Sequence, residues 1–362
     1  MKEATTTNHP ERLRGKAVAE VLAGSWRKSA SAISGHQLEM AMPILLKAGA
    51  GGLAWCGIRN SGLTASETGE LLHAAYRMQS LRSALHKRNL GRVIPALRAA
   101  GVDPLLVKGW AVARLYPEPG MRPYLDLDIC VRPNEYDRAR DVLSNGDLQD
   151  CVVDLHSGFG KFYTRQTEEV FSRSRLVKLG DLEVKVLGPE DDLRFLCLHL
   201  LRHGAVQPLW LCDVCVVLEG LSKDFDWDLC LTGRRRVAEW VGCAIGLAHH
   251  LLGASVAGTP VEYLTSRLPG WLVPVVLEEW GKPLKTLPRL VASLSDVGGW
   301  PRNLPGDLLN HWPNPIEATM TVGGAFNELP RLPYQAGHVL SRAASFVGQL
   351  ISGKAGDLLQ RA

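Results

Sequence analysis

The segment from Tyr124 to Val131 alternates apolar and polar side chains, and it constrains the fold more than any other part of the chain. Four apolar residues form one side of the pattern, and Asp126, Asp128 and Cys130 form the other. A period of two residues predicts a β-strand with one buried face. It also places both carboxylates on the same face of that strand, with Cα atoms about 6.6 Å apart.

Two carboxylates this close together repel each other when both are ionised, and a divalent cation between them removes that cost. Mg²⁺ is typically bound by one or two carboxylates together with substrate phosphates. The alternative is a solvent-facing strand that carries two acidic residues and binds nothing. The neighbouring segments of the chain bear on this choice.

Two further segments favour a site for phosphates and metal ions. Upstream, Lys108–Gly109 follows a short apolar run at 103–107 and precedes a short predicted helix. A glycine at such a turn lets backbone N–H groups approach a phosphate, and a helix N-terminus favours anions. Downstream, 152–156 is predicted as a later strand, on which Asp154 could supply a third carboxylate. Three acids can hold two metal ions, the arrangement used for in-line phosphoryl displacement.

The remainder of the chain predicts helices on both sides of this region. Helical patterns run from about 11 to 60. A capping-box pattern at Thr64–Glu67 begins another helix that runs to about Asn89, and a second one at about 90–100 stops before Gly101. The segment 182–186 is a further strand candidate, and 335–359 resembles an amphipathic helix or helix pair. Pro189, followed by three acidic residues, is a strong helix start. The middle of the chain alternates strands and helices, so we expect a small α/β core flanked by N-terminal and C-terminal helical regions. The expected divisions are 1–95, 96–188 and 189–362, the last with a segment rich in Pro, Gly and Trp.

Composition excludes several classes of protein. The chain has 362 residues and a net charge of only +4, so it gives no strong nucleic-acid signal. Eight cysteines are too few for a disulfide scaffold. Cys212 and Cys215 form a CxxC pattern with no second pair, which favours a buried helical turn over a metal or redox site.

The termini and the hydrophobic segments predict a cytoplasmic protein. The first 16 residues contain no apolar run, so we expect no signal peptide. The segment 240–261 contains no Asp, Glu, Lys or Arg and is long enough to span a bilayer. It also contains two histidines, four glycines and a proline, so a buried helix at about 237–252 is the preferred interpretation and no transmembrane span is expected.

Two other candidates have structural interpretations. His199 and His203 lie four residues apart on a predicted helix, a spacing that can bind a metal, but a buried or interhelical role is favoured. Asp213 lies on an apolar helix and is expected to pair with an arginine.

Several motifs together resemble the core of the uncharacterised nucleotidyltransferase family, within the DNA polymerase β-like superfamily. They are Leu106–Gly109, Leu115–Pro123, Asp126–Ile129 and Asp154–His156. The superfamily pattern has a glycine at a strand–helix turn, two alternating acids on the next strand and a third acid on a later strand. The resemblance covers residues 36–255, and its most specific part is 108–128.

This resemblance implies an α+β fold, whose minimal nucleotidyltransferase core is a short mixed β-sheet with helices on it. It also implies an enzyme that transfers a nucleoside monophosphate from an NTP to a hydroxyl group and releases pyrophosphate. It implies ATP as the expected donor, and two Mg²⁺ ions, with Mn²⁺ as the alternative. Asp126 and Asp128 would bind both ions, and Asp154 would bind one and orient or deprotonate the acceptor hydroxyl. The acceptor, whether a small molecule, a peptide or a protein, is unknown.

The resemblance also implies a nucleotide-binding set. Its members are Lys108, Gly109, Arg122 and His156. The glycine would admit the triphosphate, and either Lys108 or Arg122 would neutralise phosphate charge. His156 would contact the acceptor, orient Asp154, or simply pack at a strand end.

Trp110 departs from the family pattern, which has a small residue at this position. The indole either stacks on a base, packs on the sheet, or obstructs the triphosphate. Obstruction would leave a non-catalytic binding module with a nucleotidyltransferase fold. A tailoring enzyme that acts on a peptide or small molecule in a biosynthetic pathway is a further alternative.

Overall fold

The structure is a computed structural model that describes residues 9–27, 33–144, 146–160, 163–282 and 312–351, with the backbone alone at 343 and 345–351. Five strands form one mixed sheet. They are β1 (Leu105–Leu106), β2 (Leu127–Val131), β3 (Val153–Ser157), β4 (Arg175–Leu179) and β5 (Leu182–Val186). Their order is β3-β2-β1-β5-β4, in which β2–β3 and β1–β5 are parallel and the other pairs antiparallel.

Helices make up most of the remaining described structure and confirm the expected α+β fold with helical regions on both sides. The first seven are α1 (Pro10–Ala23), α2 (Gly35–Lys47), α3 (Gly51–Ile58), α4 (Glu67–Ala99), α5 (Gly109–Ala113), α6 (Tyr136–Leu143) and α7 (Thr167–Ser172). The next six are α8 (Pro189–Arg202), α9 (Pro208–Glu219), α10 (Trp227–Leu231), α11 (Arg235–Leu252), α12 (Glu262–Thr265) and α13 (Leu272–Gly281). The last two are α14 (Pro315–Thr321) and α15 (Leu332–Ile351).

Strand β2 is buried on both faces, whereas the alternating pattern predicts one buried face. Leu127, Ile129 and Val131 pack in an apolar cluster with the C-terminal half of α4. Cys130 belongs to a second, larger cluster that includes the apolar side chains of α8 and α9. Because helices cover both faces, Asp128 is buried as well. The prediction of a half-buried strand was therefore wrong about its polar face.

Helix α4 is continuous over 33 residues, although the sequence predicts two helices that meet near Asn89. It begins after Ser66, whose side chain accepts a hydrogen bond from the backbone N–H of Gly69. The cap is thus Ser66 and not Thr64, which lies in a preceding 3₁₀ turn. The helix ends as expected before Gly101, which adopts a φ of +72°.

The hairpin of β4 and β5 contains a strand that the sequence analysis missed. Its two strands are joined by Gly180 and Asp181, and Leu179 pairs with Leu182. Gly180 has a φ of +63°, which a two-residue hairpin turn of this kind requires. The Gly-Asp dipeptide between two apolar segments was the available signal.

The C-terminal half begins as predicted, with Pro189 at the first position of α8. Helix α11 contains the expected buried helix. Within the described residues, no helix is both long enough and apolar enough to cross a membrane. The amphipathic helix expected at 335–359 corresponds to α15 as far as Ile351, and its remainder lies outside the described residues.

Candidate active site

The parallel register of β2 and β3 brings the acidic residues together. Asp128 lies opposite Asp154, and Cys130 lies opposite His156. Ligand atoms of Asp128, Asp154 and His156 all lie within 4.8 Å of one another. Nε2 of His156 is 3.0 Å from Oδ2 of Asp154 and 3.7 Å from Oδ1 of Asp128. The tightest cluster is therefore two carboxylates and an imidazole, and not the three aspartates alone.

Asp126 lies just before β2 and lines the same cavity as the other two aspartates. Its carboxyl is half-buried. Burial raises the pKa of Asp126 above its ordinary value, and the negative charges of Asp128 and Asp154 raise it further. The three predicted acids thus share one cleft and repel one another there, which is the electrostatic condition that a bound cation relieves.

Lys108 already places one positive charge at this cluster. Its Nζ lies 2.7 Å from Oδ1 of Asp128, and its side chain is only 17% exposed. Burial alone would raise the pKa of Asp128, but its interactions with His156 and with the Lys108 ammonium outweigh burial and lower it. Asp128 is therefore held ionised.

The turn at Lys108 and Gly109 approaches the Asp128 carboxylate closely. Gly109 has a φ of +36°, and a Cβ atom at this position would lie 3.0 Å from Oδ2 of Asp128. A larger residue would push either the turn or the carboxylate aside. Helix α5 begins at this glycine, so the turn presents backbone N–H groups beside the acids.

Arg122 is engaged elsewhere. Its Nη2 lies 2.7 Å from Oδ2 of Asp213, and its Nε contacts both oxygens of that carboxylate. The hydroxyl of Tyr116 donates a fourth hydrogen bond to Asp213, at 2.9 Å. All three side chains are buried, so Asp213 has the expected structural pairing. Of the two cations considered for the phosphates, Lys108 is the one that contacts the acids, and a phosphate-binding role for Arg122 stays a prediction.

The three aspartates line a cavity of about 920 Å³. Part of its lining comes from α8 and the start of α9, namely from Phe195, His199, His203 and Trp210. Burial, with the nearby charge on Lys108 among the further causes, lowers the pKa of His199 to about 3 and also lowers that of His203. Both imidazoles are therefore neutral near pH 7.

From the sequence, a buried or interhelical role is favoured for these two histidines over metal binding, and Trp210 is not predicted to belong to a site. The signal was the spacing of Phe195, His199 and His203 at i, i+4 and i+8 along a helix whose other residues are mostly buried and apolar. Such a row of less buried rings forms one face of the helix. Here that face borders the cleft.

Trp110 does not line this cleft. It packs against the apolar cluster shared by the sheet and α4. It also borders a separate cavity of about 320 Å³, together with Arg114 and Lys178. Of the three roles considered for this indole, the structure supports packing on the sheet.

The donor set fits a divalent cation. Carboxylates suit Mg²⁺ and Mn²⁺, and imidazole is a ligand that transition metals accept. Nε2 of His156 lies 3.0 Å from Oδ2 of Asp154 and 3.7 Å from Oδ1 of Asp128, so this nitrogen and the two carboxylates converge on one point where a cation would find all three donors. In the described part of the chain, no other group of three such donors lies this close together.

Cys212 and Cys215 are buried thiols on α9 whose pKa values burial raises well above normal.

Comparison with known proteins places this site within a family. The sequence profile described as uncharacterised nucleotidyltransferase matches residues 41–253, which is more than half of the chain. No curated protein and no solved structure matches the chain. The matched span contains the Gly109 turn, β2, β3 and the helices that complete the cleft. The chain therefore belongs to the uncharacterised nucleotidyltransferase family, and its function is that of a nucleotidyltransferase.

Proposed function

We propose that the cleft transfers a nucleoside monophosphate from an NTP, with ATP as the expected donor, to a hydroxyl group and releases pyrophosphate. The observation that carries the proposal is the alignment of Asp128 with Asp154 across β2 and β3. Asp126 borders the same cavity, and the turn at Gly109 lies against Asp128. Family membership supports the general reaction class.

In this proposal Asp126, Asp128 and Asp154 hold divalent cations, with His156 as a further donor. A bound Mg²⁺ or Mn²⁺ supplies charge neutralisation for the phosphates and the departing pyrophosphate. The side chain of Asp154 is 47% exposed, much more than that of Asp128 at 9%. The more accessible carboxylate is the better placed to orient the acceptor hydroxyl and to accept its proton.

Lys108 has two alternative partners in this scheme. Without a ligand, its ammonium neutralises Asp128. A triphosphate bound beside Gly109 offers the same ammonium a more strongly charged partner. Lys108 can thus stabilise the acids in the free enzyme and the phosphates in the complex.

The test measures pyrophosphate release from NTPs in the presence of an acceptor-containing extract. We expect the Asp126→Ala/Asp128→Ala double variant to lose this release, and Asp154→Ala to reduce it strongly. A matched control is Asp137→Ala/Asp141→Ala on α6, which removes two aspartates that are 82% and 74% exposed. Equal release by the wild type and by both active-site variants, with all proteins folded by circular dichroism, would refute the proposal.

The binding-module alternative rested on obstruction of the triphosphate by Trp110. That indole lies outside the cleft, so the observation that motivated this alternative is removed. Calorimetric titration with Mg·ATP still separates the two functions, because a module with a closed phosphate site would bind no NTP. A tailoring enzyme of a biosynthetic pathway would differ from the proposed function only in its acceptor, which would be a peptide or a small molecule.

A further inference from the structure

Four rings form a continuous aromatic wall in the cleft. Phe195 and His199 lie four residues apart on α8, His203 is the residue that directly follows this helix, and Trp210 lies in the first turn of α9. The ring centroids of His199 and Trp210 are 4.6 Å apart in an edge-to-face arrangement, and those of His203 and Trp210 are 5.3 Å apart. Phe195 stacks almost parallel to His199, with a centroid separation of 6.2 Å. We call this group the aromatic wall.

The ring nitrogens of the aromatic wall form no hydrogen bond to the described residues of the protein. They are the two nitrogens of His199, the two nitrogens of His203 and Nε1 of Trp210. These side chains border a cavity of about 920 Å³, which is large enough for a nucleotide, so their ring nitrogens are free to bond a ligand there.

The aromatic wall has the character of a binding surface for an uncharged, planar group. It contains no carboxylate, and its imidazoles are neutral. Aromatic rings bind other planar rings by stacking or edge-to-face contact. The aromatic wall and Lys108 line the same cavity, so the wall lies beside the space that the phosphates occupy in the proposed function. A nucleotide combines these two properties, since its charged phosphates are joined to a neutral planar base.

We propose that the aromatic wall binds the nucleobase of the NTP, with Trp210 and His199 contacting the ring and the free imidazole and indole nitrogens bonding its polar edge. This inference rests on the proposed function, because it requires the phosphates to lie at Lys108 and Gly109. It assigns the recognition of the base to α8 and α9, which lie outside the sheet that carries the acids.

The experiment compares Mg·ATP with Mg·tripolyphosphate, which has the phosphates but no base. Both ligands are titrated by calorimetry into the full-length wild type, Trp210→Ala and His203→Ala. Because base–aromatic contacts of this kind are typically worth a factor of about five or more in affinity, we expect Trp210→Ala to weaken Mg·ATP binding at least about fivefold. Binding of Mg·tripolyphosphate should change less than about twofold. His203→Ala should also weaken the binding of Mg·ATP more than that of Mg·tripolyphosphate, with a smaller loss of affinity than Trp210→Ala. This variant provides the test if Trp210→Ala does not fold.

A matched control is Trp312→Ala, which removes an indole that is 41% exposed and does not line the cleft. It should bind both ligands as the wild type does. Equal losses for both ligands in Trp210→Ala, or no loss for either, would overturn the nucleobase assignment while leaving the proposed function intact. If Trp210→Ala keeps its ATP affinity but needs more acceptor extract for pyrophosphate release, the aromatic wall binds the acceptor instead and the assignment is wrong. A wild type that binds neither ligand would overturn the proposed function as well.

Discussion

The backbone at Lys108 provides the sharpest test of the site's geometry. Lys108 has a φ of +50° and a ψ of −142°, a conformation that side chains with a Cβ atom rarely adopt. It directly precedes Gly109 and places the ammonium 2.7 Å from Asp128. Strained backbone of this kind persists at functional sites when the surrounding structure determines it. Replacing the lysine by glycine and by alanine separates this strain from the lost charge.

The two variants lose the same ion pair, so the cost of losing it cancels in their difference. Alanine at position 108 retains a strain of about 1–3 kcal/mol, which glycine does not have. Glycine loses about 0.5–1 kcal/mol more conformational entropy on folding than alanine does. The free energy of unfolding of Lys108→Gly should therefore exceed that of Lys108→Ala by about 1 kcal/mol.

Urea denaturation followed by tryptophan fluorescence measures this difference. The matched control is Ala84→Gly at an exposed position of α4, where glycine should instead destabilise the protein by about 1 kcal/mol. If Lys108→Ala is as stable as Lys108→Gly or more stable, the positive φ at this turn is wrong. The argument that the turn is fixed against Asp128 would then fail with it.

Three further predictions concern buried charges and the hairpin. Asp213→Asn leaves the buried Arg122 guanidinium without its counter-charge, so we expect a loss of about 3–5 kcal/mol in unfolding free energy, measured with urea at neutral pH. Burial raises the pKa of Asp192 to about 7, so the folded protein keeps a proton that the unfolded chain releases near pH 4. The free energy of unfolding should therefore fall by at most about 4 kcal/mol as the pH rises from about 4 to about 7. Asp192→Asn should remove this fall, and parallel pH profiles of the wild type and the variant would contradict the prediction. Gly180→Ala should lower the melting temperature through a loss of about 1 kcal/mol, and an unchanged melting temperature would contradict the positive φ there.

The acids of the site could be predicted from sequence because their arrangement is local. Alternation along β2 fixes which side chains share a face, so Asp126 and Asp128 required no knowledge of the rest of the fold. Asp154 needed one more assumption, that β3 pairs with β2, and the parallel register supports it. His156 entered the cluster through the same register, two residues along the strand.

The burial of β2 and the continuity of α4 could not be predicted in this way. Alternation indicates which residues share a face but not whether helices cover the second face, and packing of α8 and α9 decides that here. Helix α4 continues through Asn89 because Leu90, Val93 and Ile94 are buried against the sheet. Tertiary packing of this kind outweighs a local break in the pattern.

The aromatic wall depends on contacts that are remote in sequence, and the pair of Arg122 and Asp213 explains how the fold fixes its position. Arg122 lies in the loop that leads into β2, five residues before the strand begins, and Asp213 lies three residues after Trp210 on α9. A buried, bidentate ion pair between them, with Tyr116 as a further donor, ties the start of α9 to the strand that carries the acids. This ion pair therefore holds the first turn of α9, which carries Trp210, against the segment that leads into β2.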